Sequence, residues 1–137
     1  MKTALDSSVI LDVLTADPQW AELSGQALLR AMAEGALVVG ECVLAEVAPA
    51  LGESEIEQFL HDWKIVFVPS SRSSSIAAGR MFADYLRRGG AAKRVLPDFL
   101  IGAHALEHAE RLLARDRGYY RDYFGGLTLV DPSRGEA

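Results

Sequence analysis

The sequence predicts an α/β fold built on a central, mainly parallel sheet, and three observations carry that expectation. Short apolar runs bounded by glycine or polar turns, such as ALVVG at 36–40 and KIVFVP at 64–69, alternate with segments of helical period. The connections between these elements are short, as βαβ units require. Single carboxylates interrupt the apolar text where elements meet, at Asp6, Glu46, Asp98 and Asp116.

The elements follow in order. A short strand is expected over 3–6, then helix from Ser7 to about Leu14 and again from Pro18 to Glu34, closed by Gly35. ALVVG is rich in β-branched residues and reads as a buried second strand. Helix returns from Glu41 to Leu51 despite Pro49, and after Gly52 the stretch ESEIEQFLHDW places acids at its front and apolar residues at helical spacing. KIVFVP is the third strand. SSRSSS reads as a polar turn whose last serine caps the helix IAAGRMFADYLRRGG, which ends in arginines and glycines as a helix C-terminus does. PDFLIGAHALEHA is helical, RLLA a fourth strand and LTLV a fifth, with a loose tail from Pro132.

At 137 residues the chain fits one domain spanning 1–137, and 50% hydrophobic with 24% charged residues is a globular balance. A net charge of -5 argues against binding nucleic acid purely by blanket electrostatics, although divalent ions bound at an acidic site would cancel much of that charge locally. Cys42 is the single cysteine, so no internal disulfide forms and a reducing cytoplasm fits. No apolar run is long enough to span a bilayer, and Asp6 and Asp12 break the N-terminal apolar segment, so neither export nor a membrane partner is expected.

Ligand sites of parallel α/β sheets lie outside the carboxyl ends of the strands. Asp6 ends the first expected strand, Asp116 ends the fourth, Glu46 sits in the helix after the second, and Asp98 heads the helix before the fourth. Each has a plain structural reading beside this one: Asp6 and Asp98 as helix starts, Asp116 as a turn residue, Glu46 on a solvated face. Taken together they fall at one edge of one sheet, where four carboxylates repel each other unless a cation joins them. Mg²⁺ or Mn²⁺ favours such oxygen donors and keeps open water positions, a combination suited to phosphodiester hydrolysis.

The opening LDSSVILDVL, VLAEVAP after a short strand, LPDFLIGAHALEH, and LLARDRGYYRDYFGGLTLVDP stand in an order and spacing that resemble PIN-domain ribonucleases, and among them the VapC toxins of bacterial toxin-antitoxin modules. That resemblance covers most of the chain. It implies a three-layer α/β/α sandwich and an Mg²⁺- or Mn²⁺-dependent endoribonuclease whose acids are Asp6, Glu46, Asp98 and Asp116. A supporting hydroxyl is implied at Ser7 or Ser8, with Ser8 preferred. It also implies RNA as substrate, cleavage leaving a 5′-phosphate and a 3′-hydroxyl, a neutralising VapB-like antitoxin and a homodimer. The sequence departs from the family at Gly40 and Cys42, where Ser or Thr is frequent, Glu41 is an additional acid, and Asp12 is read as peripheral.

Arg115 and Arg117, beside Asp116, are the expected substrate-binding residues, with Arg87, Arg88, Lys93 and Arg94 as a second basic group that reads better as a solvated helix end and loop. Tyr119, Tyr120 and Tyr123 suit base stacking but read better as core. Trp20 to Met32 and the segment around Phe59 to Trp63 offer apolar surface for an antitoxin groove or a dimer face, or else belong to the core. Rival readings exist. His104, Glu107 and His108 spell H-x-x-E-H, an inverted zinc motif without an obvious third ligand. A phosphatase or receiver domain wants acid pairs that this text lacks, and a non-catalytic RNA- or protein-binding module is disfavoured while all four acids are intact.

Overall fold

The structure, a computed structural model, describes residues 1–90, 95–116 and 118–134. Lys93, Arg94 and Arg117 of the expected basic groups, and the end of the tail, lie outside the described residues.

The chain runs β1 (Thr3–Leu5), α1 (Ser7–Leu14), α2 (Ala21–Glu34), β2 (Leu37–Val39), α3 (Glu41–Val47), α4 (Glu53–Asp62), β3 (Ile65–Phe67), α5 (Arg72–Arg87), α6 (Leu96–His108), β4 (Arg111–Leu113), α7 (Tyr119–Tyr123) and β5 (Leu129–Val130). The strands form one five-stranded sheet in the order β3-β2-β1-β4-β5. Every pairing is parallel, with Ala4 opposite both Val38 and Leu112. The architecture is the expected α/β/α sandwich.

Strand order explains where a site forms. The chain lays β2 and then β3 to one side of β1, then returns to lay β4 and β5 on the other. Parallel crossovers are right-handed, so reversing the direction moves the connecting helices to the opposite face. α1 therefore packs with α2, and α5 with α6, on opposite sides of the sheet. The reversal falls between β1 and β4, joined beyond the last strand residues by Asp6 N–H donating to the Leu113 carbonyl at 3.0 Å. Leu5, Leu37, Val38, Val39, Leu112 and Leu113 are almost wholly buried, as strands covered on both faces must be.

Three local outcomes differ from the sequence reading. α5 starts a turn earlier than expected, because Ser71 caps it: Ser74 N–H donates to Ser71 Oγ at 3.0 Å and Ser71 N–H to Ser74 Oγ at 3.1 Å. The tract from Arg72 to Ser75 is thus helix, not turn. α3 stops at Val47 and a 3-10 turn over Ala48–Ala50 absorbs Pro49. The short α7 was unexpected, and its rings join Tyr85, Phe99 and Phe124 in an aromatic cluster with centroids 5.5 to 6.1 Å apart.

Candidate active site

Asp6 is the first residue past β1 and the N-cap of α1, where its Oδ2 accepts the Ser8 N–H at 3.1 Å. The helix-cap reading is therefore correct, and it does not remove Asp6 from the site. The other oxygen, Oδ1, accepts the Tyr120 hydroxyl at 2.9 Å. Asp6 lines a polar cavity of about 210 Å³ with Ser7, Ser8, Glu46, Asp98, Arg115 and Tyr120. This cavity lies at the reversal between β1 and β4, where a parallel sheet offers a crevice.

Glu46 reaches the cavity from the last turn of α3 and its Oε1 accepts the Ser7 hydroxyl at 3.0 Å. Asp98 stands in the first turn of α6, after Pro97. Ser7, rather than the preferred Ser8, is the hydroxyl that donates to a cavity carboxylate; Ser8 Oγ accepts the Arg115 backbone N–H at 3.1 Å. The phenol of Tyr120 registers how the acids converge. Burial first, then the charges of Asp6 and Asp98, the hydrogen bond to Asp6 and the charge of Glu46 push it well above the ordinary tyrosine value.

Asp116 is placed differently. Its Oδ1 accepts the N–H groups of Gly118 and Tyr120 at 2.8 and 3.2 Å, and its Oδ2 that of Arg121 at 3.1 Å. It thereby caps α7 and borders an adjoining cavity that shares Tyr120 with the first. Arg115 lines the first cavity, and its guanidinium forks onto Asp12, Nε to Oδ2 at 2.7 Å and Nη2 to Oδ1 at 2.8 Å. The fork lies 5.3 Å from the centre of the Trp20 ring. Asp12, read as peripheral, is in fact buried and also accepts the Ser24 hydroxyl at 2.6 Å. Its signal in the sequence was the four-residue spacing from Ser8, which stacks both on one helix face. Buried Asp131 was also missed; it accepts the Asp116 N–H at 3.1 Å and pairs with Arg134 at 3.3 Å.

The donor set fits a hard divalent ion in kind: Asp6, Glu46 and Asp98 supply oxygen to one polar cavity. Among the described residues no group of three or more His, Cys, Asp or Glu is gathered to hold an ion directly. Mg²⁺ commonly takes only one or two carboxylates and keeps several waters, so the more open spacing suits it. The inverted zinc pattern is engaged otherwise: His104 is buried with Nε2 2.6 Å from the Val68 carbonyl oxygen, and Glu107 accepts the Ser71 and Ser73 hydroxyls. The additional acid Glu41 receives the N–H and hydroxyl of Ser70 at 3.0 and 2.8 Å, tying α3 to the segment before α5.

By sequence the chain matches no family model and no curated protein. By structure it is similar to a chain of VapBC2 from Rickettsia felis bound to a promoter DNA fragment, with a TM-score of 0.70 and 18% identity over 96% of this chain and 98% of that one. A chain of DNA-bound VapBC from Salmonella typhimurium gives 0.70 and 13% over the same shares. One of FitAcB from Neisseria gonorrhoeae gives 0.66 and 18%, again over 96% and 98%. With five parallel strands in one sheet and nearly complete coverage of both chains, this protein shares the fold of the matched chains of these VapBC and FitAcB complexes.

Proposed function

We propose that the chain is a metal-dependent endoribonuclease of the VapC kind, using Asp6, Glu46, Asp98 and Asp116 as its acids and held in check by an antitoxin protein. The observation that carries this reading is the convergence of Asp6, Glu46 and Asp98 on one polar cavity at the reversal of a parallel sheet, with all three charges felt at Tyr120. Mg²⁺ or Mn²⁺ bound there supplies Lewis-acid polarisation of a phosphoryl oxygen and a water acidified for attack. The chain's own part is positional. Ser7 fixes one oxygen of Glu46, the α1 N-terminus and Tyr120 fix both oxygens of Asp6, and Asp116 sets the turn that carries Tyr120. Arg115, forked onto Asp12 and so held in place, lines the wall beside the RNA backbone; Arg117 is assigned to the same task on its sequence position alone.

The antitoxin is assigned by analogy with the VapBC and FitAcB complexes. An apolar groove of about 490 Å³ between α2 and α4, lined by Val13, Leu28, Leu29, Met32 and Trp63, suits the apolar face of a partner helix. A basic residue on that partner would complement the acidic cavity.

The test is cleavage of total RNA by purified protein with Mg²⁺ or Mn²⁺, with EDTA, and with Asp6→Asn and Asp98→Asn. Discrete products that need metal and vanish in both variants, by about a hundredfold or more, are expected. Cleavage that survives EDTA and both substitutions, or no cleavage by the wild type, removes the nuclease reading in favour of a non-catalytic binding module.

A further inference from the structure

Asp6 is held from both sides by neutral donors: the Tyr120 hydroxyl at Oδ1, 2.9 Å, and the Ser8 N–H at Oδ2, 3.1 Å. Tyr120 is only 4% exposed, and its ring packs 6.2 Å from Phe124. Its backbone is fixed as well. Asp116 accepts its N–H at 3.2 Å, and Gly118 enters α7 at φ +108, a left-handed conformation that a side chain would disfavour. Core packing, the Asp116 hydrogen bond and a glycine turn thus agree on the position of one phenol oxygen.

The choice of donor matters electrostatically. An arginine or lysine at this distance would orient Asp6 but also cancel its charge, as Arg115 does for Asp12 through a two-point fork. A phenol orients the carboxylate and leaves its charge for a cation. A carboxylate oxygen has two lone pairs, so Oδ1 still has one to offer after accepting the hydroxyl.

We propose that Tyr120 is a positioning residue for Asp6, holding its carboxylate in the rotamer that binds a divalent cation while keeping its full charge; this rests on the metal-site reading above. The hydroxyl is the working part, and the ring is the means of placing it.

The experiment titrates MnCl₂ into the full chain by calorimetry, alongside melting curves in EDTA, for wild type, Tyr120→Phe, Tyr123→Phe and Phe124→Leu. Tyr120→Phe should raise the Mn²⁺ dissociation constant about tenfold, the scale of one hydrogen bond to a charged group, with a fall in melting in EDTA no larger than that of Phe124→Leu. Tyr123→Phe, which removes a hydroxyl from the aromatic cluster, should leave the affinity unchanged. Phe124→Leu should lower melting without a matching loss of Mn²⁺ affinity. Equal or tighter binding by Tyr120→Phe overturns the tyrosine role and leaves the metal site standing. An equal loss in Phe124→Leu assigns the effect to packing and also overturns it. No Mn²⁺ binding by the wild type removes the metal site and the tyrosine role together.

Discussion

His104 is 3% exposed, donates through Nε2 to the Val68 carbonyl, and packs against His108 with tilted rings and centroids 4.8 Å apart. Burial, first of all, holds its pKa below the ordinary histidine value; the Val68 carbonyl opposes this, His108 adds to it, and Glu41 and Glu107 oppose it. The unfolded chain therefore takes up this proton before the folded one does. The stabilising contribution is fully present above the unfolded value of about 6.5 and is lost as pH falls toward and through the folded one. Urea midpoints measured from about pH 7.5 to 5.5 should fall, and fall less steeply in His104→Gln. The sequence displayed the spacing of His104, Glu107 and His108 but not their engagement, since Val68 lies 36 positions away in the chain. The same limit hid Asp12, whose partner Arg115 is 103 positions distant. Gly40, a departure from the family pattern, has a local reason: a Cβ there would meet the His104 ring at 3.0 to 3.3 Å.

Among the elements, α6 carries Asp98 on its first turn and packs its middle against the aromatic cluster. Gly102 makes that approach feasible, for a Cβ at this position would meet the Phe124 ring at 2.7 to 2.9 Å. Gly102→Ala should destabilise by about 1–3 kcal/mol through overpacking, against a smaller gain in helix propensity. Gly79→Ala in α5, with nothing near its added methyl, should instead stabilise by up to about 1 kcal/mol. Urea unfolding of the pair separates the two effects. Strands were legible because each is a short apolar run between turn residues, and α1 and α6 because their starts are marked by the Asp6 cap and by Pro97 in the first turn. α7 was not, since five residues hold too little period to announce a helix and its cap, Asp116, reads equally as a turn.

For the whole molecule, the alternation of strands and helices announced a parallel sheet, but not the reversal that places β4 beside β1. That step decides which acids meet, and it brings Asp6 and Glu46 to Asp98 while turning Asp116 toward α7. The apolar groove was foreseen as two segments, and the fold joins them. Leu29, 67% exposed at its rim, is the place to break it. Leu29→Glu should alter stability by no more than about 0.5 kcal/mol while abolishing co-purification with a co-expressed cognate antitoxin.

β1 is the middle strand of the sheet, yet the bonds that complete its surroundings span 108 positions from Arg111 to Thr3 and 114 from Tyr120 to Asp6. Contacts so distant along the chain close late in folding. During synthesis on the ribosome, the first three strands can emerge and collect on their own side while the cavity still has no wall. A nascent or truncated chain ending before α7 thus carries Asp6, Glu46 and Asp98 without the Tyr120 phenol that donates to the first of them, so the cavity closes only once α7 has been made.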